Sequence, residues 1–193
     1  RANLIGDTYE ITCNFRGSDS IIDLLLETDA VRRTFPNAKI QLYIPYFPYA
    51  RQDRVMQPGE SHSLKVIAGL INSLNFSSVT VVDPHSDVVE ALIDRVKIIT
   101  QTAAIEQTID QTTLESYDFF IAPDAGAAKK IWKTAVKYKK PVICAQKQRD
   151  VTTGVITSTR IYTEDFDKLC DARALVIDDI CDGGRTFIEL RKV

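Results

Sequence analysis

The sequence predicts an α/β protein built from two similar domains, each with a central parallel sheet flanked by helices. Three observations predict this fold class. Short β-rich runs alternate with segments whose apolar residues follow helical spacing. Polar and glycine-containing segments follow the strands, where open α/β sheets place their ligands. The alternation begins again after about residue 100, so we expect residues 1–100 to form one domain and residues 101–193 the other.

Periodicity and punctuation predict the elements of the first half. Residues 18–34 (SDSIIDLLLETDAVRRT) place apolar side chains at helical spacing, and Ser18 or Asp19 can cap this helix. Residues 39–44 (KIQLYI) form a β-rich run that stops at Pro45. The same criteria predict, in order, a helix over residues 63–74, a strand over residues 78–82, a helix over residues 86–93 and a strand over residues 96–100.

The second half repeats this alternation. A strand is predicted over residues 118–122 (DFFIA), and the turn at residues 123–126 leads from it into a helix that continues through Tyr138. Further strands are predicted over residues 141–145 and 173–177, and a last helix begins after the loop at residues 178–186. Because parallel neighbours need a long crossover, usually a helix, the alternation indicates parallel sheets.

Composition and charge exclude several classes of protein. With 45% apolar and 26% charged residues, the chain is neither disordered nor collagen-like. The net charge of −2 gives no electrostatic reason to bind nucleic acid or an anionic membrane. No apolar run approaches the roughly 18–20 residues that cross a bilayer, and the first residues (RANLIGDTYE) resemble neither a signal peptide nor a transit peptide. We therefore expect neither a nucleic-acid nor a membrane partner.

The cysteines and histidines limit the chemistry further. Cysteines occur at four positions, Cys13, Cys144, Cys170 and Cys181, which form no CxxC pair and match no zinc module. Reduced thiols in a cytoplasmic protein are therefore expected. The two histidines are His62, which we expect to be a surface or loop residue, and His85.

Residues 176–186 (VIDDICDGGRT) carry the strongest chemical signal. An apolar strand runs into two acids, then a third acid, two glycines and a threonine before a helix. Glycines let backbone N–H groups approach a phosphate, and a following helix N-terminus favours an anion. The acids could bind ribose hydroxyls or a metal. The alternative is a strand–loop–helix connection that merely turns.

Four other segments could carry chemistry, and each has a structural alternative. Residues 44–54 (IPYFPYARQDR) combine arginines, whose guanidinium groups can bind phosphate, with aromatic rings on which a base can stack. A rigid proline-containing loop with surface charges would have a similar sequence. Asp83 and His85 end a strand and could share a cation or its water shell, whereas a lone histidine there is usually structural. Asp124 suits a ribose or metal-water contact, or an ordinary helix cap. Lys147 and Arg149 could lie on a mobile lid, or form a solvated basic pair.

Taken together, these motifs resemble the ribose-phosphate pyrophosphokinases, or phosphoribosyl pyrophosphate (PRPP) synthetases. PYF-x-YARQDR is a hallmark of that family which simple phosphoribosyltransferases lack, and the loop at residues 178–186 resembles the PRPP loop of both groups. In that loop Gly183 replaces the usual Thr and Arg185 replaces the usual second Gly. The resemblance runs from about Ile21 to Phe187 and implies two tandem type I phosphoribosyltransferase-like domains. It also implies that the family's N-terminal strand, its acidic Gly-Glu loop and the last strands of the second domain are missing from this chain.

The resemblance implies a role for each matching residue. ATP-binding residues would be Arg51, Gln52, Asp53, Arg54 and His85, and Mg²⁺ would be held by Asp83, His85 and Asp124. Asp178 and Asp179 would hold the ribose hydroxyls, and the 5-phosphate would be bound by Asp182, Gly183, Gly184, Arg185 and Thr186. Lys147 and Arg149 would be the catalytic residues of a flexible flap in which Gln148 replaces a middle basic residue.

The implied reaction transfers the β,γ-diphosphate of ATP to the C1 hydroxyl of ribose 5-phosphate, giving PRPP and AMP. The resemblance implies Mg²⁺ as cofactor and a homo-oligomer, a dimer or a hexamer. Arg185 leaves a second acceptor open, because a long cation in the loop could grip a larger 5-substituent such as the diphosphate of ADP-ribose. A phosphoribosyltransferase would lack the ATP segment, and a silent regulatory subunit would lose the flap cations, so both are less favoured.

Overall fold

The computed structural model describes residues 2–5, 7–149, 156–161 and 171–192. The chain folds into two compact units, Arg1–Thr100 (unit 1) and Gln101–Val193 (unit 2). Within the described ranges, no helix has both the length and the apolar character needed to cross a membrane.

Unit 1 contains a five-stranded sheet in the order β1-β2-β3-β4-β5. Its strands are β1 (Ala2–Ile5), β2 (Thr8–Thr12), β3 (Lys39–Ile44), β4 (Ser78–Val82) and β5 (Val96–Ile99). β1 pairs antiparallel with β2, and all the other neighbours are parallel. The helices of this unit are α1 (Asp19–Thr34), α2 (Ser63–Ser73) and α3 (Val88–Leu92).

The core of unit 1 follows from side-chain alternation. Along β3, Ile40, Leu42 and Ile44 are all buried, as a period of two requires. Helix α1 buries Leu24, Thr28 and Val31, which lie on one face because they are spaced by four and three residues. The Thr28 hydroxyl donates to the Leu24 carbonyl at 2.7 Å, so this buried polar group is satisfied within the helix.

Unit 2 contains a four-stranded sheet in the order β8-β7-β6-β9. Its strands are β6 (Phe119–Ala122), β7 (Val142–Arg149), β8 (Ile156–Ile161) and β9 (Ala174–Val176). β6 is parallel to both β7 and β9, whereas β7 and β8 form an antiparallel pair. The helices are α4 (Gln101–Thr108), α5 (Gln111–Glu115), α6 (Ala125–Tyr138) and α7 (Arg185–Leu190), and the core centres on the fully buried Phe120 and Ile131.

The predicted α/β class is confirmed, and several elements correct the prediction in detail. The sequence predicted no element before residue 18, whereas the structure forms β1 and β2 there; it also adds α4, α5 and β8. The antiparallel pairs at β1 and β8 depart from purely parallel sheets. Ser18 precedes α1 as predicted, but its side chain makes no capping hydrogen bond. The strand predicted over residues 141–145 continues to Arg149.

Candidate functional site

In unit 1, two of the predicted segments follow neighbouring parallel strands. Residues 45–54 follow β3, and residues 83–87 follow β4, its partner in the sheet. Because the carboxyl ends of parallel strands meet at one edge, both segments lie on the edge where α/β sheets bind ligands.

The segment at residues 45–54 is held in place by two side chains that are buried in the core of unit 1. Phe47 and Ala50 are 1% and 2% exposed, so they anchor the loop in the core. Tyr49 has a φ of 57°, and its carbonyl accepts from the Gln52 amide at 2.9 Å, which closes a tight turn. A left-handed backbone at a tyrosine is strained, and the buried anchors maintain it. The turn therefore presents Arg51 and Gln52 outward in a fixed direction.

This turn forms one wall of a pocket of about 320 Å³. The lining residues are Phe15, Arg16, Gly17, Ile21, Tyr46, Pro48, Tyr49, Arg51 and Gln52. Of the predicted ATP residues, Arg51 and Gln52 line this pocket. The other three, Asp53, Arg54 and His85, are not among its lining residues. Residues 15–17 were not predicted as site residues, because their place beside the pocket depends on β2, which was not predicted either.

Asp53 links the two segments. Its Oδ2 accepts from the Ser86 hydroxyl at 2.7 Å, and its Oδ1 accepts from Arg54 Nε at 2.9 Å. The hydrogen bonds from Arg54 and Ser86, in that order, hold the pKa of the Asp53 carboxyl below its ordinary value. Ser86 is buried, so this bond ties residues 45–54 to residues 83–87.

Asp83 and His85 lie at the start of the second segment. Asp83 is half-buried with a φ of 36°, and its amide donates to the Ile99 carbonyl at 2.8 Å. Pro84 is buried, which fixes the turn, while His85 is exposed. The other histidine, His62, is half-buried just before α2, and its Nε2 is buried with no hydrogen-bond partner among the described residues.

In unit 2, Asp124 caps helix α6. Its Oδ1 accepts from the Ala127 amide at 3.0 Å, the geometry of an N-cap. A Cβ at Gly126 would lie 3.3 Å from this oxygen, so glycine leaves room for the carboxylate. The structural alternative considered for Asp124 is thus realised, and it holds the carboxylate at the carboxyl end of β6.

A half-buried ion pair joins the two predicted segments of unit 2. Lys130 Nζ on α6 lies 2.6 Å from Asp179 Oδ2, with side chains 20% and 9% exposed. The Asp179 amide in turn donates to Asp178 Oδ1 at 3.0 Å. Lys130 was not predicted as a site residue; the available signal was its place at the end of the segment APDAGAAKK.

The loop from Asp182 to Thr186 leads into α7. Gly184 has a φ of 70°, a conformation that favours glycine, and its carbonyl accepts from the Phe187 amide at 3.1 Å. Asp182, Gly183 and Arg185 are exposed. Apart from each glycine's own chain neighbours, no atom of the described residues lies within 4 Å of a Cβ at Gly183 or Gly184, so there is room beside both glycines.

Lys147 and Arg149 lie on a strand and not in a loop. Both belong to β7, where Lys147 pairs with Thr159 and Arg149 with Ile156 across a register shift. This corrects the prediction that the strand ends before the two cations. Their side chains lie outside what the structure describes.

The part of the chain that the structure describes contains no cluster of three or more His, Cys, Asp or Glu side chains that could hold a metal. Mg²⁺ usually keeps several waters and is bound by one or two carboxylates together with substrate phosphates, so it does not need such a cluster. Asp83, with His85 two residues on, and Asp124 each lie just beyond the carboxyl end of a strand, the edge at which α/β sheets bind their ligands.

The described cysteines are free thiols, and Cys170 lies outside the described residues. Burial raises the pKa of the Cys13 thiol to about 11, and burial also raises the pKa of Cys144. Neither thiol is therefore an activated nucleophile at neutral pH.

Comparisons with known proteins agree with these motifs. Residues 7–74 match the family described as the N-terminal domain of ribose phosphate pyrophosphokinase. A ribose-phosphate pyrophosphokinase from Saccharolobus solfataricus is 27% identical over 183 residues, covering 94% of this chain and 61% of its own length. Another, from Mycoplasma pneumoniae, is 29% identical over 177 residues, covering 91% and 52%.

The fold is also that of a solved structure. Phosphoribosylpyrophosphate synthetase from Mycobacterium smegmatis matches with a TM-score of 0.72 and 22% sequence identity, covering 95% of this chain and 59% of that one. The predicted resemblance to the ribose-phosphate pyrophosphokinase family is thus confirmed. The chain spans 52% and 61% of the length of the two curated relatives, little more than half.

Proposed function

We propose that the protein is an ATP-dependent diphosphokinase that transfers the β,γ-diphosphate of ATP to the C1 hydroxyl of ribose 5-phosphate, giving PRPP and AMP. One observation carries this proposal: Arg51 and Gln52 line a pocket together with the exposed rings of Tyr46 and Tyr49. A phosphoribosyltransferase, which does not use ATP as the diphosphate donor, has no need of such a pocket in addition to its PRPP loop. The names of the similar proteins support the same reaction.

The reaction needs positioning and charge neutralisation more than covalent chemistry. The oxygen of the C1 hydroxyl attacks the β-phosphorus and its proton passes to solvent. The bond from that phosphorus to the oxygen shared with the α-phosphate breaks, and AMP leaves with that oxygen. Arg51 holds the phosphate chain in the unit 1 pocket. Lys147 and Arg149, on β7, stabilise the charge that develops on the transferred group.

Bound Mg²⁺ would supply positive charge that neutralises part of the charge on the phosphate oxygens. We assign Asp83 and His85 in unit 1, and Asp124 in unit 2, as residues that would hold Mg²⁺, directly or through water. Asp53 and Arg54 support the ATP segment, since Asp53 ties it to Ser86 beside His85.

The acceptor binds in unit 2 in this proposal. Asp178 and Asp179 hold the ribose hydroxyls, and Lys130 orients the Asp179 carboxylate through the 2.6 Å ion pair. The 5-phosphate lies against residues 182–186, where open space surrounds both glycines and the exposed Arg185 supplies a cation.

An acceptor assay tests the proposal. Purified protein is incubated with ATP, Mg²⁺ and either ribose 5-phosphate, ADP-ribose or unphosphorylated ribose, and AMP release is followed by chromatography while ³¹P NMR identifies the product. We expect AMP and PRPP with ribose 5-phosphate, and no reaction with ribose, which lacks the phosphate that the loop would bind. AMP release with ADP-ribose but not with ribose 5-phosphate would refute the assigned acceptor.

We further propose that the protein acts on these small molecules as a cytoplasmic homo-oligomer, a dimer or a hexamer. The free thiols support a reducing compartment. Light scattering coupled to size-exclusion chromatography measures the oligomeric state, and a monomer at micromolar concentration would contradict this part of the proposal.

A further inference from the structure

Two arginines of unit 1 differ from the others that the structure describes there. Arg32 donates to the Leu74 carbonyl, Arg33 pairs with Asp29, Arg54 pairs with Asp53, and Arg95 donates to the Phe76 carbonyl and to Asn75. Neither the Arg16 nor the Arg51 guanidinium has a hydrogen bond or an ion pair among the described residues. Both unpaired groups line the same pocket of about 320 Å³.

The charged side chains that line this pocket are all positive. Among the described residues its lining contains two guanidinium groups and no carboxylate, so no lining group balances their charge. A planar guanidinium binds phosphate through paired hydrogen bonds, which makes a polyphosphate the natural complement of two such groups. The half-exposed rings of Tyr46 and Tyr49 add faces on which a base can stack. The pocket volume lies near the lower end of the roughly 300–1,000 Å³ of small-molecule sites.

The backbone holds Arg16 at this place. The Arg16 amide donates to the Ser20 hydroxyl at 3.1 Å, and the Ser20 amide donates to the Gly17 carbonyl at 3.2 Å, which fixes the loop against the start of α1. Phe15 packs against the core of unit 1. The loop is thus anchored on both sides of Arg16, while the side chain itself is exposed.

We propose that Arg16 is a second phosphate-binding residue of the ATP pocket and acts together with Arg51 on the triphosphate of the nucleotide. This assignment rests on the proposed function and extends it to residues 15–17, which lie outside every motif that predicted a site. It makes the pocket a clamp, with one arginine from the loop after β2 and the other from the loop after β3.

Calorimetric titration with α,β-methylene-ATP tests the assignment, because the bond that the reaction breaks cannot break in this analogue. Arg16→Gln and Arg51→Gln are compared with the unchanged protein, and Arg33→Gln is the matched control, since Arg33 is an exposed arginine paired on α1. We expect each pocket variant to weaken binding by roughly tenfold, the loss of a charge-assisted contact. The control should bind like the unchanged protein, and thermal unfolding should be the same for Arg16→Gln because that side chain has no partner to lose.

The outcomes separate this inference from the function on which it rests. Unchanged affinity in Arg16→Gln, with weakened binding in Arg51→Gln, would overturn the role of Arg16 and leave the ATP pocket in place. If the unchanged protein did not bind the analogue at all, the proposed function itself would fail, and the inference with it.

Discussion

The Asp53 carboxylate accepts a hydrogen bond from Ser86, which lies 33 positions later in the chain. Its role is therefore structural as well as electrostatic. By resemblance, Asp53 was expected in the ATP site, yet both of its oxygens accept hydrogen bonds from protein groups. The buried Ser86 hydroxyl is the partner that matters for stability, since Arg54 is open to solvent. Asp53 therefore holds residues 45–54 at the carboxyl edge of the sheet.

Replacing Asp53 by Asn should destabilise the protein in a pH-dependent way. Asn keeps one acceptor oxygen and loses the charge, so we expect a loss of about 1 kcal/mol at pH 7 in urea unfolding. The pKa of Asp53 is lowered in the folded state, so its contribution is complete above the ordinary pKa near 3.9 and is lost as the pH falls through the folded value. The difference between the two proteins should therefore shrink at pH 3.

Asp29→Asn is the control for this measurement. Asp29 pairs with Arg33 on the surface of α1, with side chains 59% and 79% exposed, so its loss should change stability little. An Asp53→Asn protein that is as stable as the unchanged one at pH 7 would mean that the bond to Ser86 does not hold the segment.

At the scale of elements, the strands that could be predicted from the sequence are those whose bounds depend on local residue patterns. β3 and β4 were predicted with the bounds that the structure has, because β-rich runs end at Pro45 and at Asp83-Pro84. β8 (ITSTRI) was missed because it is largely polar and its place depends on pairing with β7. The site residues follow the same rule. Arg51 was found in a local motif, whereas the Lys130–Asp179 pair spans 49 positions and becomes visible only in the fold.

The Lys130–Asp179 ion pair predicts how helix α6 supports the proposed acceptor site. Lys130→Met keeps most of the side-chain length but removes the ammonium group that lies 2.6 Å from Asp179, which is 9% exposed. We expect a loss of about 1–3 kcal/mol in urea unfolding, because removing one charge of a largely buried ion pair is costly. If Asp179 binds the ribose hydroxyls, the KM for ribose 5-phosphate should rise by roughly tenfold, while the KM for ATP stays the same.

Lys133→Met provides the matched control on the same helix. Lys133 is exposed on α6, so the identical substitution there should leave both stability and KM unchanged. A Lys130→Met protein with an unchanged KM for ribose 5-phosphate but reduced stability would restrict the pair to a purely structural role.

At the scale of the whole molecule, each unit has a hydrophobic core of its own. In unit 1, residues from β2, β3 and β4 pack with helices α1 and α2, with Leu42, Phe47 and Val81 almost fully buried. In unit 2, Phe120 of β6 and Ile131 of α6 lie at the centre of a separate cluster. A separate core is the physical requirement for a segment to fold as an independent domain.

Residues 1–100 expressed alone should therefore fold and keep the pocket that we propose binds the nucleotide. All the residues that line this pocket, from Phe15 to Gln52, lie within unit 1, and so does the Asp53–Ser86 bond that supports it. We expect a single cooperative transition in urea, and affinity for α,β-methylene-ATP within roughly tenfold of that of the full chain, because the arginines that would bind the phosphates are retained. The Arg51→Gln form of the fragment should fold equally well and bind the analogue less tightly. A fragment that unfolds without a cooperative transition would mean that residues 1–100 do not form a domain, whereas a folded fragment with no affinity would place essential nucleotide contacts in residues 101–193.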